Sequence, residues 1–172
     1  MAGDLGRLRV RRIGYEAENV NSYELVLPEG GELAPFTAGS HIDLHLQNGM
    51  VRSYSLVNDQ CERHRYVIAI NKDAAGRGGS IFAHDTIKAG DIVTVSAPRN
   101  NFMLHEEAEY SALIAGGIGI TPLLSMIRRL ETLARPWKLF YAARTRRAAA
   151  FLDDLDAIRP GVRRNLHLDF DD

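Results

Sequence analysis

Cysteine is the scarcest chemistry in this chain: Cys61 is the one thiol among 172 residues. A lone thiol closes no internal disulfide and builds no thiolate zinc site. It cannot supply the four sulfurs that usually hold an iron–sulfur cluster. An excess of one charge is missing too. Lys and Arg total 21 against 22 Asp and Glu, a formal net charge of −1, so no global field draws the chain to nucleic acid or an anionic membrane. The opening stretch has no apolar core segment; it carries Asp4, Glu16, Glu18, Arg7, Arg9, Arg11 and Arg12. Neither a signal peptide nor a membrane anchor is expected there, and a reducing cytoplasm is the expected location. The P-loop pattern, the G-x-G-x-x-G fingerprint and the G-x-S-x-G elbow are all absent. So are internal repeats and low-complexity linkers. The rest is ordinary for a globular protein, 45% hydrophobic and 25% charged, with length for one good-sized domain or a domain and part of another.

Residues 1–105 read as strands. "NSYELVLP" puts Tyr23, Leu25 and Leu27 on one face, and "HIDLHL" puts Ile42, Leu44 and Leu46 opposite His41, Asp43 and His45. "RYVIAINK" and "GDIVTVSAP" are short apolar runs, and Gly, Asn, Asp and Pro turns punctuate the series. Five or six such strands predict a closed or nearly closed antiparallel barrel.

Residues 106–172 change rhythm. "YSALIAGG" reads as a buried strand, and "TPLLSMIRRLETLA" as a helix with Leu123, Ile127, Leu130 and Ala134 on one stripe. Thr121 is expected as N-cap and Pro122 as the first helical residue. "WKLFYAAR", "AAAFLDDLDAI" stopped at Pro160-Gly161, and "NLHLDF" continue a strand–helix–strand series, which predicts a parallel α/β unit. With three strands that unit is small, and a partial one is expected.

Three constellations carry chemistry. In "VRSYSL", Arg52 and Tyr54 share one face of an extended chain while Ser53 and Ser55 share the other. With "GRGGS", Arg77 to Ser80, they offer two guanidinium groups, hydroxyls, an aromatic ring and glycines that admit a close ligand, an anion cradle. The same residues also suit a glycine-rich hairpin beside a surface arginine. In "AGGIGITP", Gly116, Gly117 and Gly119 keep side chains away from the carboxyl end of a strand, where open α/β sheets bind nucleotides; a plain tight turn is the other reading. Arg144, Arg146 and Arg147 follow the next strand, facing the same crevice or forming a solvated loop. His41 and His45 flank Asp43 without a third ligand placed by sequence, so a wet strand face is expected there rather than a metal. Cys61 sits among charges as a bystander; Trp137 and Phe140 read as packing.

Taken in order, "RSYSL", "GRGGS", "VSAPRNNFML", "LIAGGIGITPLLSM" and "LFYAART" resemble the ferredoxin–NADP reductase superfamily. The closest likeness is to its phthalate dioxygenase reductase and vanillate O-demethylase reductase branch, from about residue 8 onward. The resemblance implies an N-terminal Greek-key barrel that binds FMN and an α/β domain that binds NADH. It implies electron transfer to a plant-type [2Fe-2S] domain and a Rieske-type oxygenase. By the same resemblance Arg52 and Ser53 hold FMN. Tyr54 and Ser55 lie near the isoalloxazine ring, with Ser55 a donor to its hydride-accepting nitrogen. Ile70, Asn71 and Lys72 form a wall, and Arg77, Gly78, Gly79 and Ser80 cradle the phosphate. Thr121, with Pro122 beside it, faces flavin and nicotinamide. Gly116, Gly117 and Gly119 make room for the dinucleotide, which Arg144 contacts. Against that family the later strands of the NADH domain and the cysteine-rich cluster domain are expected to be missing from this chain, so no [2Fe-2S] cluster is expected in it. An oxygenase component or a separate ferredoxin is the implied partner. The alternative expectation is an FMN-binding fragment with little or no NADH turnover.

Overall fold

A computed structural model describes residues 5–158 and 166–170. The first six strands are β1 (Leu5–Ala17), β2 (Val20–Val26), β3 (His41–His45), β4 (Val51–Ser55), β5 (Tyr66–Asn71) and β6 (Ile92–Ser96). They form one antiparallel sheet in the order β4-β3-β6-β1-β2-β5. Alternation decides which side each strand buries. Leu8, Val10, Tyr23, Leu25, Ile42, Leu44, Leu56, Ile68 and Ile70 all point into one core. The sheet curls until its two edges touch at the Leu56–Ile68 bridge, next to the Val57 N–H bond to Val67 O. Beyond that contact β4 and β5 are not paired, and a slot opens between them. Helix α1 (Gly79–Thr86) crosses between β5 and β6 and seals the core with Ala83 and Phe82.

The second sheet is parallel, in the order β7 (Ser111–Gly116), β8 (Trp137–Ala143), β9 (Leu166–Phe170). Helix α2 (Ile120–Thr132) and helix α3 (Leu152–Ile158) connect these strands. Leu123, Leu124, Ile127 and Leu130 of α2 pack with Leu113, Leu139 and Tyr141. The same cluster takes in Ala17, Val20, Val57 and Ala69 from the outer side of the first sheet. One apolar core therefore glues the α/β unit to the back of the antiparallel sheet. Among the described residues no helix is long and apolar enough to cross a membrane.

The arginine-rich opening forms β1, central in the sheet, with Leu8 and Val10 buried between outward arginines. Two expectations for the second unit need correction. Thr121 does not cap α2. A 3₁₀ turn, Gly117–Gly119, runs straight into a helix that begins at Ile120. Gly119 is already helical at φ −61°, so no extended capping residue exists there, and Thr121 Oγ1 instead donates to Ile118 O. Pro122 sits in the first turn, where its missing N–H has no intrahelical partner to lose. Ala134 is not on the buried stripe. It lies past the helix end at φ +51°, with its N–H on Glu131 O and that of Arg135 on Leu130 O. That pairing closes the helix as a Schellman turn, and the left-handed position normally prefers glycine. Changing Ala134→Gly is expected to raise stability by about 0.5–1 kcal/mol, read as an increased urea midpoint at unchanged slope. The Pro160-Gly161 stop falls outside the described residues.

Candidate functional site

The slot between the two sheet edges is a groove of about 470 Å³ lined by Arg52–Ser55 of β4, Ala69 and Asn71 of β5, and the loop residues Asp73, Gly76 and Arg77. Gly79 and Ser80 of α1 close it, with Ile118 and Thr121 reaching in from the second unit. "GRGGS" is thus a helix entry rather than a hairpin. Gly78 takes φ +82° as the residue before the helix, a backbone state glycine adopts without strain. The first-turn N–H groups of Gly79, Ser80 and Ile81 have no partner inside the helix and point their partial positive charge outward.

Arg52 is packed across this helix entry. A Cβ built on Gly79 would stand 2.6 Å from Arg52 Nε, so glycine is what lets the guanidinium lie there. Its Nη1 donates to Val51 O at 2.8 Å and its Nη2 leans on Met50 Sδ at 3.4 Å. Among the described residues neither Arg52 nor Arg77 meets a carboxylate. Ser80 Oγ accepts the Asp73 N–H at 3.1 Å, which ties the loop to the helix and leaves the Ser80 hydroxyl proton free to donate. The end of the groove is therefore rich in unspent donors. Replacing Gly79 by alanine should displace Arg52 and weaken anion binding at least several-fold. Melting temperature should hold or rise, because alanine favours a helix by about 1 kcal/mol over glycine; phosphate-ester titration and a thermal melt separate the two effects.

The other residues divide clearly. Burial pushes the Tyr54 phenol upward, against the pull of Arg52, so its ring presents a neutral half-buried wall. Ser55 lines the groove. Ser53 also lines it, but its Oγ donates to Asp43 Oδ1 at 2.6 Å, and Arg99 holds the other Asp43 oxygen at 2.6 Å. Those bonds from Ser53 and Arg99 hold the Asp43 carboxyl below its ordinary range. Ser53 and Thr121, their protons already committed, can only accept from a ligand; Ser55 is not so constrained. Ile70 is not a wall residue: its side chain is fully buried in the sheet's core, and alternation gives the groove Ala69 and Asn71 instead. Its carbonyl meets His84 Nε2 at 2.8 Å.

A second cavity of about 630 Å³ adjoins the groove and shares Asn71, Asp73 and Ile118 with it. Gly117, Arg144 and Thr145 line it from the parallel sheet's carboxyl edge, and Glu18, Asn19 and Lys72 from the antiparallel sheet. Lys72 is engaged by Asp85 at 2.7 Å; Arg144 is exposed. A Cβ at Gly116, Gly117 or Gly119 would meet nothing, so open space faces all three. Gly116, Gly119 and Pro122 line neither cavity. Among the site residues missed by sequence reading are Ala69, Asp73, Gly76 and Ile118 in the groove, and Glu18, Asn19 and Thr145 in the cavity. Glu18-Asn19 is the turn joining β1 to β2, with Asn19 at φ +63°; an Asn turn between alternating runs was the available signal.

Residues 8–104 match the oxidoreductase FAD-binding domain family. The chain belongs to that family. Among its relatives, phenoxybenzoate dioxygenase subunit beta of Ectopseudomonas oleovorans is 49% identical over 165 residues, 96% of this chain and 50% of that protein. Phthalate dioxygenase reductase of Burkholderia cepacia is 46% identical over 150 residues, 87% of this chain and 47% of its own length. A solved phthalate dioxygenase reductase, described as a modular structure for electron transfer from pyridine nucleotides to [2Fe-2S], superposes with a TM-score of 0.92 at 42% identity. The match covers 97% of this chain and 52% of that one. The chain thus spans about half the length of the curated relatives it matches. The family match contains β2 to β6, α1, β1 from Leu8 onward and every groove residue except Ile118 and Thr121, so the flavin-binding family and the donor-lined slot coincide in one unit.

Proposed function

We propose that the groove holds FMN, that the adjoining cavity receives NADH, and that the chain is the flavin-reducing part of an oxygenase reductase. The observation that supports this best is the unspent donor set at the groove's closed end. Arg52, Arg77, the Ser80 hydroxyl and the first N–H groups of α1 suit a terminal phosphate, which carries close to two negative charges. A terminal phosphate is the group FMN presents there; FAD would need the chain to continue past it. When bound, FMN supplies hydride acceptance from a reduced nicotinamide and one-electron delivery to an iron–sulfur partner.

The protein's own part is positioning. Tyr54 shields the groove from water, Ser55 offers a donor toward a ring edge, and Thr121 offers acceptor lone pairs from the side of the second unit. Arg144 supplies a cation to the cavity for a dinucleotide phosphate. In this reading residues 1–105 are a Greek-key flavin barrel and 106–172 part of an NADH-binding domain. The electron acceptor is an oxygenase component or a separate ferredoxin in the cytoplasm.

The test is a fluorescence titration of the purified chain with FMN and with FAD, followed by anaerobic addition of NADH or NADPH. FMN bound more tightly than FAD, then bleached by NADH, supports the whole reading. FMN that binds but stays oxidised supports a flavin-binding unit with little turnover. Binding of neither flavin removes the proposal.

A further inference from the structure

The turn that joins β1 to β2, Glu18-Asn19, belongs to the antiparallel sheet but is docked on the α/β unit. The Glu18 N–H donates to Arg147 O at 2.9 Å, and Asn19 O accepts the Lys72 N–H at 2.7 Å. Two backbone bonds, one to each unit, therefore fix the turn where it lines the cavity of about 630 Å³. Asn19 holds its left-handed φ of +63° to make that turn.

The charges around this cavity are not all free. Lys72 is engaged by Asp85. Asp73 is folded into its own loop, its Oδ1 accepting the Ala75 N–H at 3.0 Å. Glu18 and Arg144 are left. Both are exposed and line the cavity, and among the described residues neither side chain has an ion pair. Arg146 and Arg147 are exposed too but do not line it.

In a dinucleotide fold a side chain past the next parallel strand reads the adenosine ribose. A carboxylate there accepts from the 2′-hydroxyl, and an arginine accommodates a 2′-phosphate. Here the residue that follows β8 is Arg144. By itself Arg144 would favour the phosphorylated dinucleotide. A carboxylate arrives instead from the other unit, on the docked turn.

We infer that Glu18 sets the dinucleotide preference of this cavity. Its carboxylate accepts from the ribose hydroxyls and repels a 2′-phosphate that Arg144 would otherwise hold. Discrimination of this kind rests on a built-in repulsion as much as on a contact. The inference deepens the reading of the cavity as the NADH seat and rests on it.

The experiment titrates the full chain, incubated with FMN, with NAD⁺ and with NADP⁺ by isothermal calorimetry. The oxidised forms keep turnover out of the readout. Wild type is expected to bind NAD⁺ more tightly than NADP⁺. Glu18→Gln keeps an acceptor for the ribose and removes the charge. It should tighten NADP⁺ by roughly fivefold or more while changing NAD⁺ by less than about twofold. Glu18→Lys should carry the ratio further, to a preference for NADP⁺. Glu29→Gln, past the other end of β2, should change neither affinity. Glu18 is exposed and its tie to Arg147 is made by backbone, so both Glu18 variants should melt as wild type does. The inference is overturned by a wild type that prefers NADP⁺, or by a ratio that Glu18→Gln leaves unchanged. It is equally overturned if both dinucleotides weaken together, as loss of a merely structural contact would make them. NAD⁺ bound at a ratio indifferent to Glu18 sinks this inference alone. Neither dinucleotide bound at millimolar supply sinks the NADH reading of the cavity and this inference with it. Selection of NAD⁺ through Glu18 in a chain that holds no FMN sinks the flavin reading alone.

Discussion

Arg52→Ala combined with Arg77→Ala is expected to cut FMN affinity by roughly 100-fold to 10,000-fold. The figure follows from two charge-assisted bonds to phosphate at about 1.5–3 kcal/mol each. The chain should still fold. Arg52 lies over Gly79 and leans on Met50, and Arg77 is exposed, with no ion pair for either among the described residues. Their removal therefore strands no buried charge. Riboflavin, which lacks the phosphate, is the internal control: its weaker affinity should barely respond to the double change. Fluorescence titration of both ligands reads the difference. Equal losses for FMN and riboflavin would place the arginines against the ring instead.

Leu124→Ala should be the most damaging single change outside the groove, costing about 2–5 kcal/mol as a cavity in a packed core. Leu124 is fully buried on α2, in the cluster where the α/β unit meets Ala17, Val20 and Ala69 on the back of the first sheet. Its loss should act beyond stability. Ile118, in the 3₁₀ turn that runs into this helix, and Thr121, in its first turn, form one side of the groove. Loosening α2 therefore moves that side away from β4. Urea unfolding should show the lower midpoint, and FMN titration below that midpoint a weaker, fluorescent complex. A midpoint equal to wild type would mean that the two units do not depend on this shared core.

Much of this was readable from alternation and turns. Ile42 and Leu44 announced their buried face, and the stripe Leu123, Ile127 and Leu130 announced α2. β1 was harder because its outward positions are arginines, so the strand reads as charged although Leu8 and Val10 keep the period of two. Helix starts were misplaced at Thr121 because a 3₁₀ turn can flow into a helix without any capping side chain. The groove's residue types were legible; its assembly was not. The Ser53–Asp43 bond spans ten positions and depends on the β3–β4 register. Choosing Ala69 and Asn71 over Ile70 depends on which side of β5 faces the slot. Local sequence carries neither fact, since both follow from how distant strands close.

The most direct trial of the account is the visible spectrum of the purified chain after incubation with FMN and removal of free ligand. The account predicts a yellow protein whose flavin bands are shifted from those of free FMN and disappear from the Arg52→Ala, Arg77→Ala variant. A cooperatively folded wild-type chain that emerges colourless from saturating FMN would contradict it.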